Sequence, residues 1–344
     1  MDDASDRLAA AETALATALQ GVVGRLYGAG AQIKALQRLS GGAMQELWAF
    51  DVPTGDGVRE LILRRSPGGV AKRQVPGTGM EMEARVLRLA VAAGVPAPRV
   101  EYAMTPSDGL GSAYIMERIP GETLAPRILR GPEYAQARTR LAFQLGAAAA
   151  KIHRIDVDAA GDLNRATPAE SVASAYERYR ALGMDRPVFE WAFRWFRDHI
   201  PSADFKPSVV HGDLRTGNII VGPEGLRSVL DWEATHVGDP MEDLAWLCIP
   251  PWRFGELDKP AGGVGTREEL FAGYEAESGQ KVDPERVRFW EAFGSLRWGL
   301  ATALMARDFQ AGDRSVERAA IGRRTSENEI DLLAILAPEG RAHA

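Results

Sequence analysis

The sequence predicts an α+β chain of two unlike parts, a small five-stranded sheet with one helix followed by a larger, mainly helical part. Short apolar runs separated by glycine and proline turns fill the region before Pro120. Apolar residues at helical spacing dominate after Pro120 and Gly121. A pair of short strands flanked by polar residues interrupts those helices. A cleft between two unlike parts is a usual place for a ligand.

Composition limits the kind of protein. Of 344 residues, 45% are apolar and 26% are charged, which is ordinary globular usage and excludes a disordered or fibrous chain. The net charge of -6 argues against general nucleic-acid binding. Cys248 is the single cysteine, so no intramolecular disulfide can form and a reducing compartment is expected.

The chain also lacks the sequence features of a membrane or exported protein. No apolar run approaches the roughly 18 residues that a spanning helix needs. The acidic N-terminal stretch has no apolar core of the signal-peptide type. We therefore expect a cytoplasmic monomer or homodimer that binds neither membranes nor nucleic acid.

The first part of the chain is predicted to hold one long helix, a sheet and a second helix. Residues 4–27 are predicted as an amphipathic helix that packs either on the sheet or on a partner subunit. A second helix is predicted over 81–93, and 66–79 is predicted as a glycine-rich and proline-rich loop. Strands are predicted at 33–39, 45–51, 59–64, 100–104 and 113–119.

The second part is predicted to be helical, with one β-ribbon. We expect three segments: an N-terminal helix over 1–29, a small lobe over 30–119 and a large lobe over 120–344. The ribbon strands are predicted at 219–221 and 228–230. Helices are predicted at 133–153, 168–182, 187–199, 240–248, 266–278, 284–309 and 325–336.

The segment 208–233, SVVHGDLRTGNIIVGPEGLRSVLDWE, carries the residues most suited to chemistry. Asp213 and Asn218 lie between two apolar strand runs, and Asp231 follows the next run. Polar side chains at strand ends next to turns are held rigidly by the scaffold. Two carboxylates and an amide at this spacing could converge on one hard cation, and such oxygen ligands suit Mg²⁺.

HGDLRTGN followed by LDWE resembles the aminoglycoside phosphotransferase and choline kinase superfamily, small-molecule relatives of the protein kinases. His-Gly-Asp-x-x-x-x-Asn is similar to the kinase catalytic loop, and Asp-Trp-Glu stands where kinases have Asp-Phe-Gly. The resemblance covers roughly residues 30–310. It is strongest to bacterial phosphotransferase-family proteins similar to the kinase-like domain fused to some acyl-CoA dehydrogenases. It implies a protein-kinase-like fold of two lobes.

The resemblance also implies a reaction, the Mg²⁺-dependent transfer of the γ-phosphate of ATP to a hydroxyl of a small-molecule acceptor. Asp213 would orient that hydroxyl and accept its proton. Asn218 and Asp231 would hold Mg²⁺. Arg215, two residues after Asp213, is expected to neutralise charge on the transferred group.

The nucleotide would lie under the small lobe. Arg64 stands where family members usually have a lysine, and the expected partner is Glu83, with Glu81 as the other candidate. Arginine presents a planar fork in place of a point charge, so the exchange is not neutral. The remaining nucleotide-binding candidates are the phosphate-covering loop Ser40, Gly41 and Gly42, the hinge residues Glu117, Arg118 and Ile119, and, more weakly, Lys72.

Two other functions stay open at this stage, a nucleotidyl transferase and a catalytically silent nucleotide-binding protein. The arginine at position 64 is the only feature that favours the silent protein. An acceptor pocket could be lined by Trp252 and Phe254. His211 and Asp243 are expected to brace the loop around Asp213. Glu233 is expected either to contact the metal, directly or through water, or to have no role in the site.

Overall fold

The structure is a computed structural model that describes residues 2–39, 45–69 and 79–336. A five-stranded antiparallel sheet forms the small lobe, in the order β1-β2-β3-β5-β4. Each predicted strand is present, and no strand end differs from its predicted position by more than three residues. The strands are β1 (Lys34–Leu39), β2 (Glu46–Thr54), β3 (Gly57–Arg65), β4 (Val100–Ala103) and β5 (Ala113–Glu117).

Helix α1 (Asp2–Tyr27) packs on the outer face of this sheet, which answers the question that the sequence left open. The face that it covers is apolar because alternate residues of β3 and β5 point the same way. The shared cluster contains Leu15, Leu19, Val22, Val23, Trp48, Phe50, Leu61, Leu63 and Ile115.

The other face of the sheet meets helix α2 (Met80–Ala92). Tyr114 of β5 is buried there in one cluster with Ala84 and Leu87 of α2. Arg64 follows Leu63 on β3, so its side chain points to the α2 face. The strand alternation therefore aims the one buried arginine of β3 at the helix that carries Glu83.

The large lobe is helical, and close contact between two helices fixes its centre. A Cβ at Gly146 would lie 1.9 Å from the Leu270 carbonyl oxygen, and one at Gly273 would lie 2.0 Å from that of Phe143. Only glycine fits at either position. The helices are α3 (Ala125–Arg130), α4 (Ala135–His153), α5 (Val157–Ala160), α6 (Pro168–Leu182), α7 (Pro187–Asp198), α8 (Met241–Cys248), α9 (Arg267–Ser278), α10 (Pro284–Gln310), α11 (Val316–Gly322) and α12 (Thr325–Leu336).

Two short β-ribbons lie in the large lobe. Strands β6 (Ser208–Val210) and β9 (His236–Gly238) pair with each other, and β7 (Ile219–Gly222) pairs with β8 (Gly225–Val229). Strand β9 and helices α3, α5 and α11 were not predicted, because three to seven residues are too few to show a period.

Two further observations concern the whole described chain. Cys248, at the end of α8, is fully buried in the apolar core. None of the helices in the described ranges is both long and apolar enough to cross a bilayer.

Candidate active site

The β7–β8 ribbon brings Asn218 and Asp231 to the same end. Ile219 is the register partner of Val229, and the Leu230 N–H donates to the Asn218 carbonyl oxygen at 2.8 Å. Asn218 lies just before β7 and Asp231 lies just after β8, so the two residues are at the same end of the ribbon. Asp231 has φ 64° and ψ 66°, a left-handed conformation that aspartate tolerates better than most residues. Its side chain is 31% exposed and faces the cleft between the lobes.

Asp213 lies beside this end of the ribbon. Its Oδ2 accepts a hydrogen bond from Asn218 Nδ2 at 2.6 Å, and the same amide nitrogen donates to the Asp213 carbonyl oxygen at 3.0 Å. Both amide protons of Asn218 are thus used. Its side-chain oxygen receives no hydrogen bond from the described residues, so it is left for another partner, such as a cation.

A buried carboxylate holds the backbone of the loop that carries Asp213. Asp243 of α8 accepts hydrogen bonds from the N–H groups of His211 at 2.8 Å and Gly212 at 2.9 Å, and from His153 Nε2 at 3.0 Å. Burial opposes the charge, but these bonds prevail and hold the pKa of Asp243 below its usual value. The anchoring role expected for Asp243 agrees with this geometry.

His211 braces the loop as a neutral ring. The Asp213 N–H donates to its Nδ1 at 3.2 Å, so Nε2 carries the proton and donates to the Leu230 carbonyl oxygen at 3.0 Å. Complete burial lowers the pKa of His211, which favours this uncharged form. The ring thereby ties the loop to the residue before Asp231.

Arg64 joins the two lobes at the site. Its Nη2 donates to Asp231 Oδ1 at 2.7 Å, and its Nε lies 2.9 Å from Glu83 Oε1 as an ion pair without hydrogen-bond geometry. Tyr114 Oη also donates to Glu83 Oε1, at 3.0 Å. Glu83, and not Glu81, is therefore the helix partner of Arg64.

Charge and burial oppose each other in this cluster. Burial raises the pKa of Glu83 to about 6, although the Arg64 charge lowers it. Burial also disfavours the charge on Arg64, but Glu83 and neighbouring acids outweigh it and raise the pKa of the guanidinium above its ordinary value. Arg64 is thus a permanent cation beside Asp231.

Glu233 lies on the solvent side of the same cluster. Its Oε2 is 3.7 Å from Arg64 Nη2 and accepts a hydrogen bond from Gln45 Nε2 at 3.3 Å. Partial burial, together with the nearby Asp231 charge, raises the pKa of Glu233. Gln45 belongs to the small lobe, so Glu233 takes part in a second polar contact between the lobes.

The hinge candidates lie at and just after the end of β5. The N–H of Glu117 donates to Arg99 O and that of Arg118 donates to Glu60 O, both at 2.9 Å. Among the described residues, the Ile119 N–H has no acceptor. Of these three N–H groups, only that of Ile119 is therefore available to a bound base.

The other nucleotide candidates are divided between described and undescribed positions. The Arg118 side chain is paired with Asp51 at 2.7 Å and with Glu60 at 2.6 Å. Ser40, Gly41, Gly42 and Lys72 lie outside the described residues.

Arg215 faces Asp213 on one side and an indole on the other. Its Nε lies 3.2 Å from Asp213 Oδ1, and its guanidinium carbon lies 4.5 Å from the ring centre of Trp252. Trp252 packs between Trp246 and Trp298. Phe254, predicted to share a pocket wall with Trp252, is partly buried against the main core, whereas Trp252 belongs to a separate cluster.

Two residues at the site were not predicted. Trp246 Nε1 donates to Asp213 Oδ1 at 2.7 Å, and Arg297 Nη2 donates to the Gly212 carbonyl oxygen at 2.9 Å. Trp246 is three residues after Asp243 on α8, and residues three apart share a helix face. The spacing from Asp243 could have indicated Trp246 from the sequence, whereas no sequence pattern indicated Arg297.

The donor set fits a hard cation with few protein ligands. Asp231 and Asn218 supply one carboxylate and one amide oxygen at the same end of the ribbon. In the described ranges, no three His, Cys, Asp or Glu side chains are grouped to hold a metal by themselves. Mg²⁺ commonly takes one or two carboxylates and completes its coordination with water and phosphate oxygens.

The chain resembles known phosphotransferases in sequence. A family model described as the phosphotransferase enzyme family matches residues 35–290. Acyl-CoA dehydrogenase family member 10 of Mus musculus is 30% identical over 259 residues, which are 70% of this chain. The match covers 24% of that relative, so the chain spans about a quarter of its length.

Solved structures share the fold. A protein from Ralstonia eutropha JMP134, proposed to be an aminoglycoside phosphotransferase, superposes with a TM-score of 0.71 at 22% identity, covering 93% of this chain and 97% of that one. Aminoglycoside phosphotransferase APH(4)-Ia, solved with AMP-PNP and hygromycin B, gives a TM-score of 0.57 at 17% identity and covers 92% and 98%. The predicted kinase-like fold of two lobes is confirmed.

Proposed function

The chain belongs to the phosphotransferase enzyme family, and on that premise we propose that it is an ATP-dependent kinase acting on a hydroxyl of a small molecule. The observation that carries the proposal is the meeting of Asp213, Asn218 and Asp231 at one end of the ribbon, beside the Arg64 cation. This is the set of groups that phosphoryl transfer requires, because its catalysis is mainly positioning and charge neutralisation.

Asp213 is the group that we assign to the acceptor. Its carboxylate is 24% exposed at the cleft and is fixed by several hydrogen bonds. In this position it would accept a hydrogen bond from the acceptor hydroxyl and take its proton as the new bond to phosphorus forms. His211 does not compete for this role, because its ring is buried and both its nitrogens are used.

Asn218 and Asp231 are the residues that would hold Mg²⁺. The side-chain oxygen of Asn218 and Oδ2 of Asp231 receive no hydrogen bonds from described residues. Mg²⁺ bound there would neutralise charge on the phosphate oxygens of the nucleotide.

Two arginines complete the site that we propose. Arg64, braced by Glu83, would contact the phosphates in place of the usual lysine. Arg215 would neutralise charge on the transferred group. The buried brace around Arg64 favours an active enzyme over a silent binder, because it holds the cation at Asp231.

The nucleotide is assigned to the cleft below the small lobe, over residues 30–119, and the acceptor to the lobe over 120–344. The Ile119 N–H, which has no acceptor within the described ranges, supports a base-binding hinge, and the AMP-PNP complex of APH(4)-Ia supports ATP as co-substrate. Next to Asp213 the wall is formed by arginine and tryptophan, which disfavours a polycationic aminoglycoside as acceptor.

The test is an ADP-release screen with Mg·ATP over amino sugars, sugars, choline, ethanolamine, hydroxy acids and acyl-CoA-linked hydroxy acids. A kinase gives ADP in an acceptor-dependent reaction that Asp213→Asn and Asp231→Asn abolish. AMP as product would show nucleotidyl transfer. Nucleotide binding without turnover by any acceptor, and without slow hydrolysis that depends on Asp213, would identify a silent binder.

A further inference from the structure

Trp246 makes a contact with Asp213 that the proposed reaction does not itself require. Its indole N–H donates to Asp213 Oδ1 at 2.7 Å, from a helix 33 residues further along the chain. The side chain is almost buried, with 7% of the residue exposed. A tryptophan in this environment has one donor and no acceptor, so the indole can serve only a hydrogen-bond acceptor such as this carboxylate.

Arg297 of α10 holds the indole in place. Its guanidinium carbon lies 4.1 Å from the Trp246 ring centre, in the range of cation–π contact. Its Nη2 also donates to the Gly212 carbonyl oxygen, one residue before Asp213. One arginine therefore fixes both the indole and the loop backbone, so the donor and the carboxylate keep their relative position.

The other side chains that bond to the Asp213 carboxylate have separate roles in the proposed reaction. Arg215 is assigned to the transferred phosphoryl group, and Asn218 to Mg²⁺. Trp246 has no role in binding the phosphoryl group or Mg²⁺, and its N–H has no other acceptor among the described residues. The indole contact is thus the one that can stay unchanged while the phosphates and the acceptor bind and leave.

We propose that Trp246 is a positioning residue that fixes the orientation of the Asp213 carboxylate through its indole N–H, with Arg297 holding the indole. The inference rests on the proposed function. It predicts that losing the N–H, at constant ring shape, lowers kcat and leaves nucleotide affinity unchanged, because small errors in the placement of a reacting group cost up to about 100-fold in rate.

The same aromatic cluster supplies a matched control. Trp298 packs on Trp252 with ring centres 4.8 Å apart, and its Nε1 has no hydrogen-bond partner in the described part of the chain. Removing that N–H changes the cluster to a similar extent without removing a hydrogen bond. Any difference between the two positions therefore reports the contact to Asp213.

The experiment replaces Trp246 with 3-benzothienylalanine, which keeps the ring size and exchanges the N–H for sulfur, and repeats this at Trp298. Trp246→Phe is a second variant. We expect kcat for ADP release to fall roughly 10- to 100-fold at position 246, with KM for Mg·ATP within about twofold of wild type. At position 298, kcat stays near wild type. A position-246 isostere with wild-type kcat overturns the proposal.

An activity-independent measurement separates this inference from the proposed function. The ¹H–¹⁵N spectrum of the indole groups, assigned by comparison with Trp246→Phe, is recorded for wild type and Asp213→Ala. We expect the Trp246 N–H resonance to move upfield when its carboxylate acceptor is removed. If wild type releases no ADP, the proposed function fails and this resonance decides the inference: an unmoved signal overturns it.

Discussion

Arg64 Nη2 lies 2.7 Å from Asp231 Oδ1, although the two residues are 167 positions apart in the sequence. The contact joins the central strand of the small lobe to the end of the β7–β8 ribbon in the large lobe. Since the Arg64 Nε simultaneously faces Glu83, one guanidinium forms ion pairs with two carboxylates. Changes at this residue should affect folding and turnover together.

Arg64→Met should destabilise the protein by about 3–5 kcal/mol, because removal of one partner leaves the Glu83 carboxylate buried without a cation. Urea unfolding monitored by circular dichroism measures the loss. Arg64→Met combined with Glu83→Gln is the control and should recover most of it. Equal stability losses in the single and double variants would contradict the buried-pair explanation.

Asp213→Asn should lower kcat by roughly 100- to 10,000-fold, because the carboxylate that takes the proton of the substrate hydroxyl is lost. Its affinity for Mg·ATP should stay near that of wild type, as measured by calorimetry. Asp231→Asn should weaken Mg·ATP binding as well as turnover. The assignment of roles is wrong if Asp213→Asn loses nucleotide affinity while Asp231→Asn keeps it.

Arg215→Ala should reduce kcat roughly 10- to 100-fold, since a cation next to the transferred group stabilises its developing charge. Arg215→Lys should recover part of the loss. Steady-state kinetics at saturating Mg·ATP provide the comparison. Wild-type turnover by Arg215→Ala would contradict a role in charge neutralisation and would leave Arg215 with only its contacts to Asp213 and Trp252.

Asp243→Asn should lower the free energy of unfolding by about 2–4 kcal/mol, because the buried carboxylate satisfies two backbone N–H groups and His153 at once. Chemical denaturation measures the change. His153→Asn, which removes only one of these donors, should have a smaller effect. A negligible effect of Asp243→Asn would show that the loop backbone does not depend on this anchor.

Asp331 should make stability fall as the pH rises. Burial raises its pKa to about 6 from an ordinary value of 3.8, so the native state holds the proton more tightly than the unfolded state. This stability is fully present below pH 4 and is lost as the pH rises through 6. Asp331→Asn should be more stable than wild type at pH 7–8, and the gap should close toward pH 4. Parallel pH profiles of the two proteins would contradict the assignment.

The sheet and the long helices were predictable because their periods extend over enough residues. The β7–β8 ribbon was found from the polar residues at its ends. Strand β9 was missed because its three residues pair with β6 across a long sequence gap. The packing of α1 on its own sheet could not be chosen from sequence, because an amphipathic helix can cover any apolar surface.

The site was predictable where its residues are close in sequence. Asp213, Asn218 and Asp231 lie within 208–233, and their spacing indicated that they converge. Arg64 and Glu83 came from the resemblance. Trp246 and Arg297 reach the loop from distant helices, so their contacts depend on tertiary packing that no local pattern encodes.

The buried thiol of Cys248 makes this protein convenient for spectroscopy. Burial raises its pKa to about 12, so at neutral pH it is a thiol and reacts poorly with maleimides or iodoacetamide. The native chain has no second cysteine. Two cysteines introduced on exposed positions, one in each lobe, could therefore be labelled selectively, and energy transfer between the dyes would follow the opening of the cleft in real time.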